Sequence, residues 1–138
     1  MNSVKVVKQI NSQPAKVWQE LSSFRGIEKY SPIASSTTMG VGKGSKRTCV
    51  MPDGAEINEI LNFAKNDKME MQYIITDGPF PVTDYVSNVK ITQINAHKSE
   101  VSWDCNFNSS PEVAEEMKNL FSGFYNVIID NLETYLAE

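Results

Sequence analysis

The stretch Ser45-Lys46-Arg47-Thr48-Cys49-Val50-Met51-Pro52-Asp53-Gly54-Ala55-Glu56-Ile57-Asn58-Glu59-Ile60-Leu61-Asn62-Phe63 decides the fold. Arg47, Cys49 and Met51 alternate with Lys46, Thr48 and Val50; Ile57, Glu59, Leu61 and Phe63 alternate with Glu56, Asn58, Ile60 and Asn62. This period of two marks strands with unlike faces. Between the two runs, Pro52-Asp53-Gly54 reads as a three-residue hairpin loop, with Gly54 placed to take the positive φ of a bulge. That loop fixes the register: Met51 faces Ala55, Cys49 faces Ile57, and Arg47 faces Glu59. Two opposite charges therefore meet on the face whose other members are apolar.

The same alternation continues outward. Met69, Met71, Tyr73 and Ile75 share one face of the next strand, Tyr85, Ser87, Val89 and Ile91 one face of another, and Val101, Trp103, Cys105 and Phe107 one face of the last. Turns at 65–68, 77–81 and 95–98 link them, so the sheet is antiparallel and dry on one side only. Upstream, residues 3–11 read as a strand with Val4, Val6 and Ile10 on one face. Ser12 can cap a helix that starts near Pro14 and carries Ala15, Val17, Trp18 and Leu21. A second short helix is expected over 24–30, ending before Pro32, and a strand over 34–40.

The dry face needs a cover, and the segment from Pro111 to Glu138 supplies one. Ser109 or Ser110 caps it, and Glu112, Glu115 and Glu116 suit the positive end of its dipole. Val113, Met117, Leu120, Phe121, Phe124, Ile128, Leu132 and Tyr135 form an apolar stripe at helical spacing. At ~1.5 Å per residue the helix is about 40 Å long. The expected fold class is α+β: an antiparallel sheet of about six or seven strands curled around a helix over 111–136, within a single domain over 1–138.

Carried across the later loops, the register argument pairs Phe63 with Met69, Glu59 with Tyr73, Tyr73 with Tyr85, Val89 with Trp103 and Tyr85 with Phe107. One row then crosses the concave face: Arg47, Glu59, Tyr73, Tyr85, Phe107, with the Tyr73 hydroxyl placed to donate to Glu59. An unpaired charge on that face costs on the order of several kcal/mol. The row has two readings. It is a polar patch on the floor of an apolar pocket, orienting a ligand carbonyl, hydroxyl or carboxylate. Or it is a structural bridge that touches no ligand. Trp18, Tyr30, Trp103 and Phe124 either line the same cavity or simply pack the core. The expected pocket has a volume on the order of a few hundred Å³, enough for a one- or two-ring ligand.

Composition narrows the function. The formal net charge of -4 argues against non-specific nucleic-acid binding. Cys49 and Cys105 lie far apart inside apolar runs and read as buried free thiols in a reducing compartment. With neither a signal-peptide pattern nor ~20 consecutive apolar residues, a cytoplasmic protein that does not insert into membranes is expected. His97 is the single histidine, in the turn at 95–98, so no Cys/His metal site and no histidine-based triad is expected. Gly40, Gly42 and Gly44 lack the spacing of a phosphate-binding loop, and no cofactor is expected. Asp53 and Glu56 belong to the turn and the wet face.

Several features occur in a telling order: Ile10-Asn11-Ser12-Gln13-Pro14-Ala15-Lys16-Val17-Trp18, Gly42-Lys43-Gly44-Ser45-Lys46-Arg47, Asp53-Gly54, Glu59, Asp77-Gly78-Pro79-Phe80-Pro81, Trp103 and Gly123-Phe124-Tyr125. Together they resemble the START-like SRPBCC superfamily, and its polyketide cyclase/dehydrase-like branch in particular, over essentially the whole chain. The resemblance implies a helix-grip fold with a cavity between sheet and long helix. It does not imply one reaction, because such proteins include aromatases and cyclases as well as lipid and hormone carriers. Three functions follow from it. The first is binding of a small hydrophobic molecule, polyketide-, lipid- or aromatic-like. The second is a cyclase/dehydratase-type lyase without metal, in which Glu59 or Tyr73 exchanges protons and Arg47 stabilises a developing enolate. The third is a stress-related or chaperone-interaction domain, which the polar outer sheet face disfavours. Either a monomer or a homodimer is compatible with this reading.

Overall fold

A computed structural model describes residues 1–137. The elements are β1 (Asn2–Ile10), α1 (Pro14–Ser22), β2 (Ser35–Met39), β3 (Lys46–Val50), β4 (Glu56–Lys65), β5 (Glu70–Asp77), β6 (Thr83–Asn95), β7 (Lys98–Asn108) and α2 (Pro111–Ala137). The seven strands form one antiparallel sheet in the order β1-β7-β6-β5-β4-β3-β2. The α+β helix-grip architecture expected from the sequence is the one observed.

The first hairpin has the register its loop dictates. Arg47 pairs with Glu59 and Cys49 with Ile57. The Met51 N–H donates to the Ala55 carbonyl at 2.8 Å, and Gly54 adopts φ 90°, a conformation costly for any residue with a Cβ.

Beyond that hairpin the register departs from expectation. The β4–β5 loop holds four residues, because Lys65 pairs with Glu70. Met69 there takes φ 50°, which the sequence does not announce for a residue with a long side chain. A bulge between Leu61 and Phe63 then shifts the ladder, so Leu61 faces Tyr73 and Phe63 faces Gln72. Glu59 consequently faces Ile75 rather than Tyr73. The bulge also moves Phe63 off the dry face: Lys65 Nζ lies 4.8 Å from its ring centroid, while Ala64 packs against the core in its place. Tyr73 faces Ser87 instead of Tyr85. Val89 faces Trp103 as derived, whereas Tyr85 falls in an irregularity between Thr83 and Val86 and has no regular partner in Phe107. Asp84, at φ 54°, makes that kink.

The segment 24–30 forms only a 3-10 turn, Ile27–Lys29, behind Gly26 at φ 70°. The left-handed conformations of Phe24 and Gly26 break any longer helix. Gln13, not Ser12, occupies the N-cap of α1, and without a side-chain cap. Ser12 is buried, and its carbonyl accepts the Ser99 hydroxyl at 2.6 Å.

Helix α2 lies across the concave face. It buries Met117, Phe121, Tyr125, Ile128, Ile129, Leu132 and Leu136. The buried stripe is rotated from the expected one: Tyr125, Ile129 and Leu136 turn inward, and Leu120 is 44% exposed. Polar contacts pin its C-terminal half to the start of the chain. Lys8 pairs with Asp130 at 2.6 Å, the Asn11 N–H donates to Glu133 at 2.5 Å, and Lys16 Nζ donates to the Leu136 carbonyl at 2.6 Å.

Leu132 is completely buried and Val127 is 40% exposed on the same helix. Leu132→Ala should therefore lower stability by about 2–5 kcal/mol. Val127→Ala should change it by less than about 0.5 kcal/mol. Urea unfolding of the two variants measures the difference.

Candidate functional site

Site geometry starts with the Arg47–Glu59 pair. Both residues project from β3 and β4 onto the dry face and are about as buried as the hydrophobic core, at 5% and 7% exposure. Arg47 Nε donates to Glu59 Oε1 at 2.6 Å, and Cys49 Sγ lies 3.5 Å from the same oxygen. The Phe24 ring covers the guanidinium, with Arg47 Cζ 3.9 Å from the ring centroid. Burial opposes the guanidinium charge, but the Glu59 carboxylate, together with Cys49 and Tyr73, outweighs it and raises the Arg47 pKa.

A cavity of about 70 Å³ separates this pair from α2. Cys49, Ile57, Glu59, Tyr73 and Tyr85 form its strand wall, Phe121, Phe124 and Tyr125 its helix wall, and Phe80 and Leu120 stand near its edge. The volume is well below the few hundred Å³ expected, because aromatic side chains from both layers fill the space. The Trp103 and Tyr125 rings stack at 5.6 Å, Tyr85 meets Phe121 at 5.2 Å, and Phe80 meets Phe121 at 5.4 Å.

The structure brings together Glu59, Tyr73, Tyr85 and Phe124 on the cavity wall. Arg47 stands behind Glu59 and is not part of the wall. Trp103 and Phe107 lie behind Tyr125 and Phe121, Phe107 at 5.2 Å from Phe121. Trp18 is elsewhere: its indole N–H donates to Asn66 Oδ1 at 2.9 Å, under the β4–β5 turn. Tyr30 packs on Tyr135 at 5.9 Å, away from the cavity. Tyr73 does not bond to Glu59. Its hydroxyl accepts the Trp103 indole N–H at 3.2 Å and lies against Ser87, the residue that faces it in the shifted register. Sequence reasoning missed Tyr125, Phe121, Cys49 and Phe80 as wall residues. Tyr125 follows Phe121 by one helical turn, which was the available signal. Its hydroxyl pairs with that of Tyr85 across the helix–sheet seam.

The sheet is split beside the cavity. The β5–β6 ladder ends at Ile74↔Val86, although β5 runs on to Asp77 and β6 begins at Thr83. The connection 78–82 spans the gap, and a surface groove of about 490 Å³ lies there. Ile75, Phe80 and Tyr85 line both groove and cavity.

Burial pushes the Cys49 thiol up to about 12, with Glu59 adding to the effect, and the Cys105 thiol up to about 11. Burial likewise raises Tyr73, Tyr85 and Tyr30. Both thiols are unpaired and buried, as the sequence suggested.

A curved antiparallel sheet gripping a long helix over a small, mostly apolar cavity defines a helix-grip protein. The chain belongs to the family described as polyketide cyclase / dehydrase and lipid transport, whose profile matches residues 1–137. Comparison with curated proteins by sequence finds no match. Among solved structures the chain is similar to XoxI from Bacillus cereus, at 28% identity and TM-score 0.89, covering 100% of this chain and 97% of that one. It is also similar to a putative uncharacterized protein from Bacillus thuringiensis, at 27% identity and TM-score 0.87, covering 99% of each. Norcoclaurine synthase from Thalictrum flavum, in complex with dopamine and hydroxybenzaldehyde, shares the fold at 12% identity and TM-score 0.80, covering 99% of this chain and 86% of that one. No described helix is long and apolar enough to cross a membrane.

Two outcomes follow from this electrostatic arrangement. Glu59→Gln strands a buried guanidinium and should cost about 3 kcal/mol or more. Replacing both partners, Arg47→Met with Glu59→Leu, should stay within about 1 kcal/mol of wild type in chemical denaturation. The thiols give a pH signature. Folded Cys49 and Cys105 hold their protons to about 12 and about 11, against 9.0 for the free thiol. Between those values the native state binds more protons than the unfolded chain, so stability falls as pH rises. The melting temperature should decline above roughly pH 9, and the decline should be shallower in a Cys49→Ala, Cys105→Ala variant.

Proposed function

We propose that residues 1–138 act as one binding unit for a small, largely apolar molecule held between the sheet and α2. The observation that carries this reading is the cavity itself, an apolar chamber with one ion-paired carboxylate on its wall. At about 70 Å³ it is smaller than the ~150 Å³ that a dry cavity offers benzene, so a ring-sized guest must widen it. The route in is the split between β5 and β6, where Phe80 touches both groove and cavity. Phe80 sits in a loop with Pro on either side and no ladder hydrogen bonds to break, so its displacement costs less than moving a strand. Norcoclaurine synthase, of the same fold, holds dopamine and hydroxybenzaldehyde, which supports a guest of one or two rings. The family description couples lipid transport with cyclase and dehydrase members. Carriage is favoured here because Arg47, the group needed to stabilise an enolate, stands outside the wall. Two buried free thiols fit a reducing cytoplasm.

The neutral fluorophore N-phenyl-1-naphthylamine tests the reading. Wild type should bind one equivalent with enhanced fluorescence. Phe124→Trp, which fills the wall, should weaken binding by about tenfold while the melting temperature holds. Phe80→Ala should speed association and dissociation together, with Kd changed by less than about threefold. Equal binding by wild type and Phe124→Trp would place the probe elsewhere and remove the support for this cavity.

A further inference from the structure

Resting on that binding reading, we infer that the guest meets Glu59 through a neutral hydrogen-bond donor, a hydroxyl, and that the site rejects carboxylates. Glu59 has two carboxylate oxygens and uses one. Oε1 takes both the Arg47 Nε donor at 2.6 Å and the Cys49 thiol at 3.5 Å. Among the described residues no hydrogen bond reaches Oε2. No sealed side-chain nitrogen or oxygen lacks a partner among those residues, so Oε2 fronts open space rather than being walled in. The residue is 7% exposed and lines the cavity. A buried carboxylate oxygen without a donor is costly, and a donor arriving with the guest relieves that cost.

The other polar groups of the wall do not compete for Oε2. The Tyr85 and Tyr125 hydroxyls engage each other. The Tyr73 hydroxyl accepts from Trp103 and lies against Ser87. The charge of the donor is set by Arg47. It neutralises Glu59 from beneath the Phe24 ring through Nε alone, and it lines the groove beside Thr37, Lys46 and Thr48 rather than the cavity wall. An incoming carboxylate therefore meets a carboxylate, the member of the pair that lines the cavity. An incoming ammonium meets a carboxylate already neutralised and must shed its water among apolar walls. A hydroxyl carries neither penalty and makes a charge-assisted bond.

Three near-isosteric probes decide the matter: 4-ethylphenol, ethylbenzene and 4-ethylbenzoate, titrated into the wild-type protein with the amide shifts of Phe121 to Tyr125 reporting the location. The phenol should bind at least about tenfold tighter than ethylbenzene, and the benzoate should bind most weakly. In the Arg47→Met, Glu59→Leu variant, the advantage of the phenol over ethylbenzene should fall below about threefold, and the benzoate should no longer be disfavoured relative to ethylbenzene beyond its own cost of desolvation. If ethylbenzene binds as tightly as the phenol, or the benzoate binds tightest, while the shifts still map to the cavity, the inference fails and the binding reading stands. Undiminished phenol preference in the double variant also overturns it. If none of the probes perturbs Phe121 to Tyr125, both fail together. Should the double variant not fold, the wild-type series alone decides.

Discussion

A charge on the dry face of a sheet is tolerated only with a partner, and the Arg47–Glu59 pair organises its surroundings accordingly. The three-residue loop at Pro52–Gly54 sets the two side chains opposite each other. Phe24 then adopts a left-handed backbone conformation and lays its ring on the guanidinium. Cys49, two residues along the same strand as Arg47, adds its thiol to the same carboxylate oxygen. Arg47 is thereby held against Phe24 and Glu59 through one of its nitrogens, while Glu59 keeps one oxygen uncommitted. The polarity of the wall follows from this arrangement: a net neutral pair sets its acceptor on the cavity wall and its donor off that wall.

Opposite the pair, the helix determines how much space remains. Aromatic rings from both layers meet in the seam, with Tyr125 stacked on Trp103 and Phe121 enclosed by Phe80, Tyr85 and Phe107. Such contacts add to the area that α2 buries, and they close the chamber almost completely. Stability and capacity are thus opposed. Each ring that tightens the helix against the sheet also occupies volume that a guest needs, so binding in this fold couples to movement of a side chain or a loop.

Much of this was legible before the structure. Strand faces were, because a period of two survives an even change of register. Tyr73 remains on the dry face although its partner changes from Glu59 to Leu61, and Cys105 and Trp103 are buried where the alternation put them. Contacts between neighbouring strands were most legible across loops whose chemistry names their length, although Val89 and Trp103 also met as derived across the turn at 95–98. Pro-Asp-Gly does so, and the Arg47–Glu59 contact followed. The four-residue turn ending at Met69 does not, because a positive φ at a methionine has no signature in sequence. The bulge at Asn62 and the kink at Asp84 are equally silent, so Phe63 was placed on the wrong face and Tyr85 was given a regular partner. Trp18 and Tyr30 were candidates for either the cavity or the core, since residue type alone does not separate the two. Packing sent them to Asn66 and Tyr135. Helix periodicity located α2 but not its rotation, since Leu120, Phe124 and Tyr125 differ by too little in hydrophobicity to decide which turns inward.

The features that escaped the sequence are also those that shape the site. A sheet with uniform ladders would pair β5 and β6 to their ends and leave no gap beside the cavity. The kink at Asp84 prevents this, because the left-handed residue turns β6 away just where Tyr85 must reach Tyr125. On the other side of β5, the bulge at Asn62 and the short turn together set Tyr73 opposite Leu61 rather than Glu59, while the β5–β6 register sets it opposite Ser87, with its hydroxyl on Trp103. Had the regular register held, the Tyr73 hydroxyl would have been free to satisfy the second oxygen of Glu59 and close the chamber from within. Irregularity in a β-sheet re-aims side chains, and here it separates a hydroxyl donor from the one carboxylate that could have consumed it.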